Sequence, residues 1–248
     1  KKTSRSLEGR RVLVTAGPTR EPFDPARFIS NPSTGRMGFA LGVEALRRGA
    51  EVTLICGPTH LEAPPGVHLV RVSTADEMFR AALNQAPGVD LVLKAAAVAD
   101  YRPEVRSHGK IKKEALGRKA RKQRGADRAI LLRLLPTPDI LEELGRRKKP
   151  GQVLVGFAAE TGDLESNALK KLRKKNLDLI VANRIGRQGE GFEADTNRAL
   201  VIDRRGRKTE LPLMPKEAMA AAILDLAEPL LEESLGRTVG RGRKGTVP

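Results

Sequence analysis

The residues with the richest chemistry in this sequence lie between Phe28 and Gly38, FISNPSTGRMG: an amide (Asn31), two hydroxyls (Ser33, Thr34) and two glycines at the entrance to an apolar-periodic run. A loop of this kind can cradle a phosphate on the first amides of the helix it opens. Ser33 and Thr34 also read as ordinary helix caps, which is the plainer account of them. The stretch is not a Walker A loop, since no Gly-Lys-Ser/Thr follows at the required spacing, and it is not G-x-G-x-x-G. The three histidines, His60, His68 and His108, are scattered, so neither a metal-ligand cluster nor a Ser-His-Asp triad can be assembled. What remains is a set of lysines and arginines beside an amide and an acid. Such groups neutralise phosphates and developing negative charge, which favours nucleotide-dependent transfer over triad hydrolysis.

The elements that would carry these groups alternate in type. Residues 10–17, RRVLVTAG, form a β-rich run ended by Gly-Pro, and 37–50 carries apolar residues at helical spacing up to Gly49. Strands are expected over 51–58 and 67–73, then a helix over 74–86 capped by Thr74, with Glu77 at capping-box spacing. A fourth strand opens at residue 90. A helix over 138–148, a strand over 152–161, a helix over 164–176 and a strand over 177–183 follow. A hairpin over 198–213 turns near Arg205 and Gly206, and a helix over 215–233 closes the chain. Strands that are apolar throughout, separated by helices, predict an α/β fold with a doubly wound, mainly parallel sheet and helices on both faces. Between Lys110 and Pro138 the periodicity fails. A mobile flap over about 111–128 and a short strand within 130–135 fit that content, and so does a tolerated surface insertion. Ligands of such sheets sit beyond the carboxyl ends of the strands. That singles out the loop containing Asn31, the alanine-lined loop AAAVADYRPE ending its small residues at Asp100, and the loops FAAETGD and ANRIGRQGEGF.

The 248 residues suit one large domain with tails. The net charge of +16 is concentrated: Arg102 to Pro150 holds 16 basic against 6 acidic residues, and both termini are basic. The rest is close to neutral, which describes a basic loop region and basic tails. Aromatic residues make up 3% of the chain, with no Trp and Tyr101 as the single Tyr, so stacking platforms for single-stranded nucleic acid are scarce. One cysteine, Cys56, allows no internal disulfide and reads as structural; a reducing, cytoplasmic setting follows. No apolar run reaches the roughly 20 residues of a membrane span.

The segments VLVTAGPTREPFDPARFISNPSTGRMG, AAAVADYRP, KIKK, PTPDIL, VGFAAET and KKNLDLIVAN together resemble the phosphopantothenoylcysteine synthetase (phosphopantothenate–cysteine ligase) domain of coenzyme A biosynthesis, from about Gly9 to Glu233. The resemblance implies a Rossmann-like domain over 9–233 and a linker remnant at 1–8; residues 234–248, rich in Gly and Arg and without apolar periodicity, read as a disordered basic tail. Many bacterial members carry a flavin-dependent decarboxylase domain ahead of it, so this chain resembles the ligase half. The implied reaction joins 4′-phosphopantothenate to L-cysteine. CTP is cleaved to CMP and pyrophosphate through an acyl-cytidylate, with Mg²⁺ accompanying the triphosphate. CTP is expected over ATP because KIKK and AAVADY look bacterial.

By family pattern, Asn31 would hold the acyl-cytidylate oxygen and Lys110 would offset charge at the α-phosphate, these two being the catalytic pair. Lys94, Ala95, Ala96, Asp100, Lys110, Pro138, Asp139, Ile140, Leu141, Phe157, Lys171 and Lys175 would bind the nucleotide, with cytosine against Phe157. Arg27 would take the phosphate of phosphopantothenate in a site shared across a homodimer, with Asn31 and Ala97 also lining the substrate. Position 94 is lysine where relatives need no charge. Two other readings stand beside this one. The βα pattern alone would permit an NAD(P)-dependent oxidoreductase, against which the missing G-x-G-x-x-G counts. The charge would permit a nucleic-acid-binding module, against which the missing aromatics count.

Overall fold

The computed structural model describes residues 5–112, 130–184 and 194–241. At its centre the apolar run after Gly9 forms β1 (Arg11–Ala16), whose Val12, Leu13 and Val14 are at most 1% exposed. Burial on both faces explains why this strand shows no alternation of apolar and polar residues. β1 is flanked in parallel by β4 (Glu51–Cys56), in register from Arg11↔Glu51 to Ala16↔Cys56, and by β6 (Leu91–Lys94). Outside β4 lies β5 (His68–Arg71); outside β6 come β9 (Val153–Glu160) and β10 (Leu179–Arg184), all parallel. The hairpin of β11 (Thr196–Asp203) and β12 (Lys208–Pro215) adds two antiparallel strands, giving the order β12-β11-β10-β9-β6-β1-β4-β5. Its turn is tied by the Asp203 carboxylate, which accepts the N–H groups of Arg205 and Arg207 at 2.9 Å. Gly206 supplies the positive φ that the turn needs.

Each sheet face carries its own core. On one, α1 (Arg36–Arg47) and α5 (Lys216–Arg241) pack together, burying Phe39, Leu41 and Ala45 against Met219, Ile223, Leu224 and Ala227. On the other lie α2 (Ala75–Gln85), α3 (Ile140–Arg147) and α4 (Leu164–Lys174), contributing Met78, Ala82, Ile140, Leu141, Leu144, Ala168 and Leu172. Each large apolar side chain so buried contributes roughly 1.5–3 kcal/mol. The expected capping box opens α2: Thr74 Oγ1 accepts from Glu77 N at 3.2 Å, and Glu77 Oε2 accepts from Thr74 N at 3.4 Å.

Several expected boundaries shift. Residues 5–8 are no loose linker, because Leu7 is fully buried in the α1/α5 core and its N–H donates to Arg48 O at 2.9 Å. Residues 234–241, expected in a disordered tail, continue α5, since the helix already docked through Leu230 and Leu231 propagates onward. The expected helix over 138–148 starts at Ile140, with Asp139 as its cap accepting from Glu142 N at 3.0 Å. The strand expected within 130–135 appears as β8 (Leu134–Pro136), paired antiparallel with β7 (Tyr101–Pro103) outside the main sheet. A second ribbon unannounced by periodicity, β2 (Arg20–Pro22) with β3 (Phe28–Ser30), is inserted between β1 and α1. The expected flap lies outside the described residues except for Ile111 and Lys112.

Candidate active site

From β1 the chain moves through β4 to β5 on one side, then returns to place β6 on the other side of β1. The loops after β1 and β6 therefore part company at a topological switch point, where open α/β sheets bind ligands. A cleft of about 320 Å³ lies there, lined by Asn31, Ser33 and Gly35–Gly38 from the first loop and Lys94–Val98 and Asp100 from the second. Phe157, Ala158 and Ala159 of β9, Lys171 of α4, Asn183 of β10, Asn197 of β11 and Lys216 of α5 complete it.

Close backbone approach builds the cleft floor. Gly17 turns at φ 77° and Gly35 at φ 84°, and a Cβ on Gly35 would stand 3.3 Å from Gly17 N. Gly38 seats α1 directly on β1, since a Cβ there would lie 2.5 Å from Ala16 Cβ. Gly17, Gly35 and Gly38 thus do spatially what the glycines of G-x-G-x-x-G do, a tight turn and close helix–strand packing. The inserted β2–β3 ribbon separates the first from the others, which hides the pattern in sequence. Ser33 and Thr34 do not cap α1 well. Gly35 is the N-cap residue and no side chain caps the helix; Ser33 Oγ accepts Gly35 N at 3.4 Å and Thr34 Oγ1 accepts Arg36 N at 3.5 Å, both long contacts. The helix start faces the cleft with its leading amides available to an anion.

The two loops are sewn together around Asn31. Its Nδ2 donates to Val98 O at 3.0 Å and to Ala97 O at 3.5 Å. Ala97 N donates to Gly17 O at 2.9 Å, and the hydroxyls of Thr15 and Thr19 accept the N–H groups of Ala96 and Ala99 at 3.2 and 3.0 Å. With its donors turned to backbone, Asn31 presents Oδ1 as its remaining polar atom, fixed in place by the alanine loop.

At the β6/β9 end, Lys94 is half-buried and donates to Ala96 O at 3.1 Å. Burial, helped by the neighbouring charge of Lys175, pushes its ammonium down to about 8. Lys171 pairs with Glu160 at 2.6 Å and Lys175 with Asp139 at 2.6 Å, so both lysines already hold a carboxylate. Lys175 and Asp139 adjoin Lys94 without lining the cleft. The side chains of Ile140 and Leu141 belong to the core, and Pro138 is exposed. A nucleotide reaching that turn would meet backbone.

Two expected residues stand apart. Lys110 is exposed and outside the cleft lining. Arg27 donates to the fully buried Asp24 carboxylate at 3.0 and 2.5 Å and to Ile111 O at 2.8 Å. The Arg27 bond holds the Asp24 carboxyl far below the usual carboxylate range. Sequence reasoning did not find Arg36, Asn183, Asn197 and Lys216. Arg36 stood inside the highlighted FISNPSTGRMG and Asn183 inside the highlighted ANRIGRQGEGF, whereas Asn197 and Lys216 come from a strand and a helix that read simply as framework. Among the described residues no group of three or more His, Cys, Asp or Glu side chains could hold a metal ion, and no helix is long and apolar enough to cross a membrane.

Comparison with known proteins gives this geometry its context. The chain is 47% identical over 223 residues to the coenzyme A biosynthesis bifunctional protein CoaBC of Bacillus subtilis (strain 168), covering 90% of this chain and 52% of that protein. It is 44% identical over 223 residues to a protein of an unknown prokaryotic organism named cysteine/cysteine sulfinic acid decarboxylase, covering 90% of this chain and 59% of that protein. The chain therefore spans between half and three-fifths of these relatives. The crystal structure of the C-terminal domain of a coenzyme A biosynthesis bifunctional protein CoaBC superposes with a TM-score of 0.76 at 41% identity, covering 93% of this chain and all of that one. The family model described as DNA/pantothenate metabolism flavoprotein C-terminal domain matches residues 7–230, and the chain belongs to that family.

Proposed function

We propose that this chain is a phosphopantothenate–cysteine ligase of coenzyme A biosynthesis, joining 4′-phosphopantothenate to L-cysteine at the expense of CTP through an acyl-cytidylate. The observation that carries the reading is the clamp of Asn31 on the Val98 carbonyl beside the uncapped start of α1, at the switch point of the sheet. It puts a fixed amide next to an anion-binding helix start, as a reaction that activates a carboxylate on a phosphate requires. The relatives named for coenzyme A biosynthesis support the same assignment.

In the first step the substrate carboxylate oxygen bonds to the α-phosphorus, and the bond from that phosphorus to the bridging oxygen breaks, releasing pyrophosphate. In the second, the cysteine amine bonds to the acyl carbon, the acyl–oxygen bond breaks and CMP leaves, the amine proton passing to solvent. Asn31 orients the substrate through Oδ1, which accepts an N–H or O–H beside the reacting carboxyl group, the α1 amides receive phosphate, and Phe157 offers a face to the base. Asp100 is the carboxylate at hand for the ribose hydroxyls. Mg²⁺ enters as part of the nucleotide substrate, held by its phosphates. Lys110 and Arg27 act once substrate draws the Ile111 segment and a second subunit together. We take the active form to be a homodimer, cytoplasmic, and fused in its native setting to a flavin-dependent decarboxylase domain.

The test is pyrophosphate release with 4′-phosphopantothenate and CTP, ATP, UTP or GTP in turn, followed by mass spectrometry after cysteine is added. Release with CTP and a phosphopantothenoylcysteine product are expected. No release with any nucleotide would sink the reading.

A further inference from the structure

The cleft has an end that the expected residues do not fill. Asn197, on β11, is 8% exposed and lines it. Its Oδ1 accepts Arg198 N at 3.0 Å, and among the described residues its Nδ2 has no partner. A buried amide donor without a partner in the wall of a cavity is costly to keep, and a ligand atom there removes the cost. Beside it stands Lys216, the first residue of α5, 4% exposed and lining the same cleft. Burial, then the nearby charge of Arg36, lowers its ammonium below the ordinary lysine value, with Glu217 opposing weakly. Both face the uncapped start of α1. At the opposite end Lys171 pairs with Glu160 and Lys175 with Asp139, each at 2.6 Å. The acid at the α1 end, Asp195, is exposed and pairs with Arg36.

We propose that Lys216 and Asn197, together with the leading amides of α1, form the subsite for the terminal two phosphates of the nucleoside triphosphate and hold them as the departing pyrophosphate. This rests on the ligase reading for its place in the reaction. When the α-phosphorus leaves the bridging oxygen, the electron pair passes to that oxygen and no proton need move. The Lys216 ammonium and the Asn197 amide stabilise the negative charge that collects on the leaving group. The base and ribose then lie toward Lys94, Asp100 and Phe157.

The test is calorimetry on the full chain with inorganic pyrophosphate, CTP and CMP as separate probes, for wild type, Lys216→Met, Lys216→Arg and Asn197→Ala. Lys216→Met should weaken pyrophosphate and CTP about thirtyfold, which is about 2 kcal/mol at 1.4 kcal/mol per tenfold, and leave CMP within about twofold. Lys216→Arg should recover most of that loss, and Asn197→Ala should weaken CTP about fivefold with CMP unchanged. Equal losses of CTP and CMP, or wild-type pyrophosphate binding in Lys216→Met, would overturn the subsite. Should Lys216→Met fail to fold by thermal melting, Asn197→Ala decides by the same CTP-to-CMP ratio. Lys216-dependent pyrophosphate binding in a chain that releases no pyrophosphate from CTP keeps the subsite and removes the ligase. Catalysis with unaltered pyrophosphate inhibition in Lys216→Met does the reverse.

Discussion

α1 and α3 both begin beside the substrate cleft, and they begin in opposite ways. α3 is closed: Asp139 accepts Glu142 N at 3.0 Å, and its other oxygen is held by Lys175 at 2.6 Å. α1 is open: a left-handed glycine stands at its N-cap with no side-chain cap, and its first amide makes only a long 3.5 Å contact to Thr34 Oγ1. α2 and α4 follow α3, capped by Thr74 and Asp163. A helix that only supports the sheet satisfies its own orphan amides; the helix left open is the one whose amides face the cleft and the Asn31 clamp. Asn31→Ala tests this most severely. Cutting the clamp frees the group that positions the substrate, and a misplacement of about 1 Å costs about 10²-fold, so kcat should fall about 10²-fold. The folded state loses two part-buried hydrogen bonds, the one to Ala97 O being long, about 1–2 kcal/mol in all. Rapid-quench product formation together with thermal melting checks both; a stability loss that tracks the activity loss would make Asn31 a scaffold residue.

The open helix start depends on Gly38. Adding a Cβ puts it 2.5 Å from Ala16 Cβ and 2.9 Å from Ala16 Cα, both on a central strand that cannot yield. Gly38→Ala should therefore cost about 1–3 kcal/mol in urea unfolding and weaken CTP, as α1 lifts from β1. Gly42, one turn on, offers a control: its Cβ would meet Val52 Cγ1 at an ordinary 3.8 Å. Gly42→Ala should be neutral or stabilising by up to about 1 kcal/mol, the helix propensity difference.

Periodicity was a good guide wherever one physical demand ruled. β1, β4, β9 and β10 are buried on both faces and read as continuous apolar runs. Thr74 and Glu77 form the capping box their spacing announces. The β2–β3 ribbon escaped because three-residue strands carry no period, and it splits Gly17 from Gly35 and Gly38 by chain length alone. Asn31 and the alanine loop were legible through the family resemblance, and the structure brings them together. Lys216 and Asn197 were invisible for a different reason. Each sits at the start of an ordinary element, and their meeting at the cleft depends on β11 and α5 packing beside β10 and α1.

The comparison of the two helix starts sharpens with paired substitutions. Asp139→Ala removes a true cap and should destabilise the fold by about 1 kcal/mol, while CTP affinity changes little because Lys175 does not line the cleft. Ser33→Ala removes a hydroxyl that makes only a 3.4 Å contact with Gly35 N, so stability should hold within about 0.5 kcal/mol. Ser33 lines the cleft, and CTP affinity should drop severalfold. If Ser33→Ala proved the more destabilising of the two, α1 would be an ordinary capped helix.

The effect expected at Lys94, at the charge-paired end, depends on pH. Burial, then the Lys175 charge, lowers its ammonium from the ordinary 10.5 to about 8. Between those values the unfolded chain binds the proton and the folded chain does not, so stability rises with pH through that window. Below about pH 8 both states are protonated, and the folded state bears the full cost of the buried charge. Cys56 works the other way: burial pushes its thiol up to about 11 from 9.0, so it lowers stability across roughly pH 9–11. Lys94→Met isolates the lysine. It should be more stable than wild type at pH 7, by on the order of 1 kcal/mol after allowance for partial solvation, and the advantage should shrink as pH rises from 8 to 10. A constant advantage across that range would mean that Lys94 keeps its ordinary affinity for the proton, solvated by the cleft rather than desolvated by its walls.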